Sequence, residues 1–317
     1  MSLRSTVWSS KEGRPRTPIR VIAGVVILVL VSVLFTIVPF FVLSVLDVAL
    51  VTGAGTETML LSTGLSGIAS VVGVWLAGRY VDRRRFADFG LRLDREWWID
   101  CGFGLALGGL LMSAIFLVQL AFGWITVTAV FAGEALLSMV MGSLLLFLIV
   151  GIYEELLVRG YLLTNLAEGA RGTLGIAGAI VFGTLVSSAA FGAFHASNPN
   201  ATLVSTVSIS LAGVMLALGY VLTGELAIPI GLHVTWNLFQ GTVYGFPVSG
   251  LELGPSIVAV ETVGPRVITG GGFGPEAGLV GVAAMVAGSL ATVAWVRHRY
   301  GTIRLETDVA RPDLRDR

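Results

Sequence analysis

The chain reads as long apolar runs separated by short polar breaks. About 20 apolar residues are enough to cross ~30 Å of hydrocarbon. Eight such runs occur, at about 19–46, 59–80, 99–122, 136–163, 174–195, 203–222, 226–245 and 277–297. Each predicts a membrane-spanning helix, so the pattern predicts an all-α polytopic membrane helix bundle of about eight transmembrane helices. The first run is too long for the apolar part of a signal peptide and ends without a small-residue cleavage site, so it reads as a first transmembrane helix. The chain divides into a polar tail (1–18), N-terminal helices (19–135), a core (136–245), one long Gly- and Pro-rich loop (246–276), a last helix (277–297) and a second tail (298–317). The first tail reads as mobile. The loop reads as a connector, with a lid as the alternative. Within it, 257–263 and 266–269 flank Gly264-Pro265 as the strands of a short hairpin would.

Composition agrees with the pattern. The 317 residues are 55% hydrophobic and 13% charged, with a mean hydropathy of +0.88. Soluble domains carry about 25% charged residues, so a soluble fold is excluded and the protein reads as integral to a membrane, the plasma membrane being expected. A net charge of zero speaks against nucleic acid as a partner; the expected partners are the lipid bilayer and a membrane-associated peptide or protein. Cys101 is the single cysteine, which excludes an internal disulfide and any CxxC motif.

Charge placement adds the orientation. Arg79, Arg83, Arg84, Arg85, Arg92 and Arg95 separate the second and third runs, and Arg297, Arg299 and Arg304 follow the last. Short loops on the other side hold Asp47, Glu57 and Glu134 without Lys or Arg. The positive-inside rule then places both termini in the cytoplasm, as an even number of spans requires. Gly104 and Gly108 have the small-xxx-small spacing that lets helices approach closely. Trp97, Trp98, Trp124 and Trp295 stand near span ends like interfacial anchors, whereas Trp236 lies inside the seventh run among polar residues.

Three polar stretches interrupt the apolar core. The first is Glu154-Glu155-xxx-Arg159, which follows the uncharged stretch 136–150. A charge at bilayer depth costs roughly 2.5–3.5 kcal/mol on insertion scales, so these groups must face the interior, pair, or do chemistry. Glu155 and Arg159 are four apart and share a helix face; Glu154 points about 100° away. The second is Phe191-xxx-His195. The third is His233-xxx-Asn237, again two polar residues on one face. Taken singly, each stretch also fits a span end or interhelical hydrogen bonding. Together, a glutamate, two histidines and an amide on separate helices suit activation of water and stabilisation of an oxyanion. They equally suit a divalent metal such as zinc, with Glu154, His195 and His233 as ligands; the residues leave open whether there is a metal or no cofactor.

The three motifs, in this order and in successive apolar helices, resemble the CPBP family of intramembrane proteases, also called the CAAX protease or Abi family, which includes the Rce1-type prenyl-protein endopeptidases. The resemblance covers about 138–241. The stretch 83–90 followed by Trp97, Trp98 and Asp100 is similar to the family's basic loop. The resemblance implies an eight-helix membrane hydrolase with 136–245 as its catalytic core. It implies that Glu154, with His195, activates water, that His233 and Asn237 stabilise the oxyanion, and that Glu155 and Arg159 order the site. Such enzymes are often called metalloproteases, but metal dependence does not follow from these residues. Two other readings are a non-catalytic membrane scaffold with the same fold and a proton-coupled transporter; the complete set of polar residues speaks against the first, and the lack of repeat symmetry against the second.

One expectation concerns depth. At 1.5 Å per residue, Glu154 lies ~21 Å along its helix from Glu168, and His233 only ~12 Å from Glu225. The motifs share one depth only if the chain breaks within 171–178, where Gly172, Gly175 and Gly178 stand.

Overall fold

A computed structural model describes residues 7–10, 12–46, 56–130, 136–311 and 314. Asp47, Glu134 and the side chain of Glu57, which the topology expectation uses, lie outside that description.

The apolar runs form a helical bundle. In chain order they are α1 (Thr17–Val45), α2 (Thr56–Leu76, continued as a π-helical stretch Ala77–Asp82), α3 (Arg95–Ala121), α4 (Leu136–Glu155, continued as a π-helix Leu156–Leu163 and on to 174), α5 (176–194), α6 (Leu203–Thr223), α7 (Ala227–Asn237, continued as a π-helix Leu238–Val243) and α8 (Leu279–Tyr300). Among the described residues six helical segments are long and apolar enough to cross a membrane. The count is below eight for two reasons. The fourth and fifth runs are one helical path broken only at Gly175, and the seventh run is the short α7. The break is where the depth argument needs it: Gly175 has φ 68 and ψ 175, a backbone that glycine adopts without penalty.

Capping fits the sequence. Asp94 accepts the Trp97 N–H at 2.8 Å at the start of α3, and Thr202 accepts the Ser205 N–H at 3.1 Å at the start of α6. Arg297 and Arg299 occupy the last turn of α8, where cations oppose the negative end of the helix dipole.

Two features differ from expectation. The strand Val258–Thr262 (β4) does not pair with 266–269, which is a helical turn; it pairs antiparallel with Ile125–Val130 (β3). Turn chemistry marked the hairpin correctly as a bend, but an apolar partner 130 residues upstream won the pairing. The N-terminal stretch is likewise held in place. Trp8–Ser9 (β1) and Arg14–Pro15 (β2) form a small hairpin. Arg14, 1% exposed, pairs with Glu168 and donates to the Asp82 carbonyl at 2.8 Å. Arg20 joins Asp82 at 3.0 Å and Glu168 at 3.1 Å, and Arg84 joins Glu168 at 3.1 Å. These charges are thus mutual partners at one end of the bundle.

Of the tryptophans, Trp97 turns inward and donates to the Gly90 carbonyl at 3.0 Å, and Trp295 donates to Asp100 at 2.8 Å. Both act as internal fasteners. Trp98 remains exposed at the surface.

The glycines of α3 seat α7. A Cβ on Gly104 would stand 2.3 Å from the Ile228 carbonyl oxygen, and one on Gly108 2.4 Å from that of Leu232; a Cβ on Gly231 would meet the Cys101 carbonyl oxygen at 2.4 Å. Backbones this close leave no room for a methyl group, so Gly104→Ala is expected to displace α7 and cost about 1–3 kcal/mol. A lowered Tm in detergent checks this; an unchanged Tm contradicts it.

Candidate active site

The site is built where α4, α5, α6 and α7 meet. The packing of α4 separates the adjacent glutamates. Glu155 is fully buried and accepts from Arg159 Nη1 at 3.0 Å. Arg159, also fully buried, donates from Nη2 to the Gly213 carbonyl at 3.1 Å, and its guanidinium lies 4.4 Å from the centre of the Phe191 ring. Glu154 faces a different way. It lines a cavity of about 330 Å³, along with Tyr153, His195, His233 and Asn237. The four residues expected to converge therefore do, and the two expected to order the site stand behind them.

Both motif helices change character just past their polar residues: α4 becomes π-helical at Leu156 and α7 at Leu238. Single π turns occur often at functional sites because they re-aim side chains without ending the helix.

The hydrogen bonds assign the ring nitrogens. His195 Nδ1 stands 2.8 Å from the Phe191 carbonyl oxygen. A carbonyl only accepts, so Nδ1 carries the proton and the neutral ring keeps a lone pair on Nε2. His233 Nδ1 stands 2.8 Å from Glu155 Oε1. An ionised carboxylate also only accepts, so this nitrogen is protonated too. His233 Nε2 then points toward Glu154 Oε2, 3.8 Å away. Glu154 Oε2 is buried and has no hydrogen-bond partner among the described residues. This separation is too long for a direct hydrogen bond.

The Glu155–His233 bond was not visible in the motif spacing. It gives Glu155 a second task beyond pairing with Arg159, that of fixing the ring of His233. Gly108 and Gly104 of α3 matter for the same reason, since they set the depth of the helix that carries His233 and Asn237.

Among the described residues no three of His, Cys, Asp and Glu form a group suited to hold a metal ion. Glu154, His195 and His233 share a cavity, and each ring is held through Nδ1 by a protein oxygen, which leaves Nε2 outside that bond, the arrangement a ligating histidine also has.

One cavity residue escaped the sequence reading altogether. Glu276, in the turn before α8, is 3% exposed and lines the cavity. It accepts the Ser249 N–H at 2.6 Å and a bond from Gln240 Nε2, while Gln240 Oε1 accepts from Trp236 Nε1 at 2.9 Å. The polar setting of Trp236 was the only trace of this network in the sequence. Ser249, Leu251 and Leu253 line the cavity as well, so the loop 246–276 forms part of its wall and is more than a connector.

Burial pushes the Glu276 carboxyl up to about 7 from 4.5, against the pull of its hydrogen bonds. The native state therefore binds more protons than the unfolded chain between those two values. Stability falls as pH rises through that window, and the cost of the buried charge is fully present above it. In Glu276→Gln this slope of Tm against pH is expected to flatten, whatever the variant's absolute Tm. Melting curves from pH 4 to 8, on the order of the window set by the two pKa values, check it; an unchanged slope contradicts it.

The apolar helices define an integral membrane protein in which a glutamate, two histidines and an amide line one cavity. Residues 135–239, which carry all three motifs, match the model of the Rce1-like family, described as type II CAAX prenyl endopeptidase Rce1-like. The match implies an intramembrane protease-type function and a membrane-associated peptide as substrate. Comparison with curated proteins and with solved structures gives no match.

Proposed function

We propose that the protein is an intramembrane endopeptidase that hydrolyses a peptide bond with water activated by Glu154 and His195. The observation that supports this best is the convergence of Glu154, His195, His233 and Asn237, from separate helices, on one cavity inside an apolar bundle. Glu154 takes a proton from water as the water oxygen bonds to the peptide carbonyl carbon. His195 Nε2, free to accept, holds that water in line. His233 Nε2 and the Asn237 amide donate to the oxyanion that forms. His233 does so with both ring nitrogens protonated, and Glu155 then lies against the ring's positive charge. As the carbon–nitrogen bond breaks, Glu154 returns its proton to the leaving amine, which leaves an acid, an amine and the starting enzyme. Each step runs through these side chains; zinc or another divalent metal, were it held by Glu154, His195 and His233, would supply polarisation of the same water. The plasma membrane is the proposed location.

Glu154→Gln, which keeps the cavity's shape but removes the base, provides the test. Expressed in native membranes, it is expected to retain bound peptide that the wild type releases as cleaved fragments. Peptide identification by mass spectrometry reads this out; identical peptide profiles for the two proteins would count against the proposal.

A further inference from the structure

The two ends of the bundle differ in charge, and the cavity belongs to only one of them. Arg266 is the only Lys or Arg in the segments 47–57, 122–135, 195–202 and 244–278, which together hold Asp47, Glu57, Glu134, Glu252, Glu261 and Glu276. Three of these segments meet at one end of the bundle. Asn198 donates to the Ser249 carbonyl at 2.9 Å, Arg266 to that of Asn200 at 3.2 Å, and β3 pairs with β4. The opposite end gathers Arg14, Arg20 and Arg84 around Asp82 and Glu168, joins Arg171 to Glu12 at 2.6 Å, and pairs Arg92 with Glu225. The positive-inside rule assigns this arginine-rich end to the cytoplasm and the acidic end to the outside.

The cavity lies under the acidic end. Asn198, Ser249, Leu251, Leu253 and Glu276 of that end's loops line it, as do Met59 and Thr63 from the first turns of α2. No residue of 79–96, 164–172, 224–226 or 297–311 does. Below Glu154 the interior is closed toward the arginine-rich end. Glu155, Leu156 and Arg159 are fully buried there, and Phe89 packs on Tyr161 with ring centres 5.9 Å apart. The cavity wall is mainly apolar, with Phe147, Ile209, Met215 and Leu216 facing the catalytic candidates.

We infer that the substrate enters from the extracytoplasmic end and is an apolar segment of an exported or membrane-inserted chain, not a C-terminus offered from the cytoplasm. The inference rests on the endopeptidase reading for the word substrate, but the side of entry rests on the cavity's position and the charge asymmetry of the two ends. An enzyme so oriented acts after translocation: the reaction that supplies its substrate is the insertion or export of a polypeptide.

The test separates the two parts. In a Cys101→Ser background, single cysteines are placed at Ser249 in the cavity wall, at exposed Glu252 in the same loop, and at exposed Thr302 beyond α8. A membrane-impermeant maleimide is applied to right-side-out and to inverted vesicles. The cysteines at 249 and 252 are expected to label only in right-side-out vesicles, and that at 302 only in inverted ones. Labelling of 252 from the cytoplasmic side overturns the inference even where the 249 variant fails to fold. Peptides retained by Glu154→Gln supply the second arm. Apolar segments of exported chains support the inference, and cytoplasmic C-termini overturn it while leaving the endopeptidase reading intact. Outside labelling of 249 and 252 with no retained peptide supports the side of entry and counts against the endopeptidase reading alone.

Discussion

Glu154→Gln is expected to fold as the wild type does and to lose cleavage by roughly 10²–10⁴-fold, the range that a general base contributes. Both halves of that expectation come from the surroundings of one side chain. Among the described residues Glu154 makes no ion pair with an arginine; it accepts from the Tyr153 hydroxyl at 3.4 Å and stands 3.8 Å from His233 Nε2. Its Oε2 is buried without a hydrogen-bond partner among the described residues. A carboxylate held this way is costly to the fold, since burying a charge without full compensation is unfavourable. The amide has the same shape and no charge, so Tm in detergent is expected to equal or exceed that of the wild type. A base has no substitute in an amide, so turnover falls. The measurement pairs thermal unfolding with cleavage of a peptide recovered by trapping. Cleavage at the wild-type rate would end the assignment of Glu154 as the base and move the function toward the scaffold reading.

The sequence carried those parts of the site that depend on spacing within one helix. Glu155 and Arg159 pair as four-apart residues do, and His233 and Asn237 line the same cavity from one face of α7. Gly104 and Gly108 meet α7 as their spacing foretells. Contacts between distant segments were out of reach. Nothing local to Glu155 announces His233, 78 residues away, and nothing local to Glu276 announces Gln240. Nothing local to Arg14 or Arg84 announces their partner Glu168, which lies in another segment. The π-helical turns after Glu155 and Asn237 were invisible for another reason: hydropathy periodicity averages over several turns, and one extra residue in a turn barely alters it. The hairpin error has the same root as the missed contacts, for β4 has the composition of a strand but its partner β3 lies far upstream in the chain.

Glu155→Gln is expected to fail differently from its neighbour, losing both stability and cleavage. Glu155 holds two partners through one oxygen, Arg159 at 3.0 Å and His233 at 2.8 Å, all of them buried. Removal of its charge strands the Arg159 guanidinium against Phe191 and the Gly213 carbonyl, with no route to solvent. Breaking a buried ion pair from one side costs about 3–5 kcal/mol, a large share of a typical folding free energy of about 5–15 kcal/mol. Low yield alone would not tell a brace from a residue that positions the catalytic ring, so a double variant is needed. Glu155→Leu with Arg159→Met removes both charges, and replacing a buried pair by apolar side chains of similar size is often neutral or stabilising by about 1–4 kcal/mol. Its Tm is therefore expected to recover toward the wild type. Cleavage is not expected to follow, because leucine offers the His233 Nδ1–H no acceptor. The ring is then free to turn and loses the carboxylate that steadies its positive charge, and a loss on the order of 10²-fold or more remains. Recovery of both stability and cleavage in the double variant would show that Glu155 serves the fold alone; recovery of stability without cleavage places it behind His233 in the reaction.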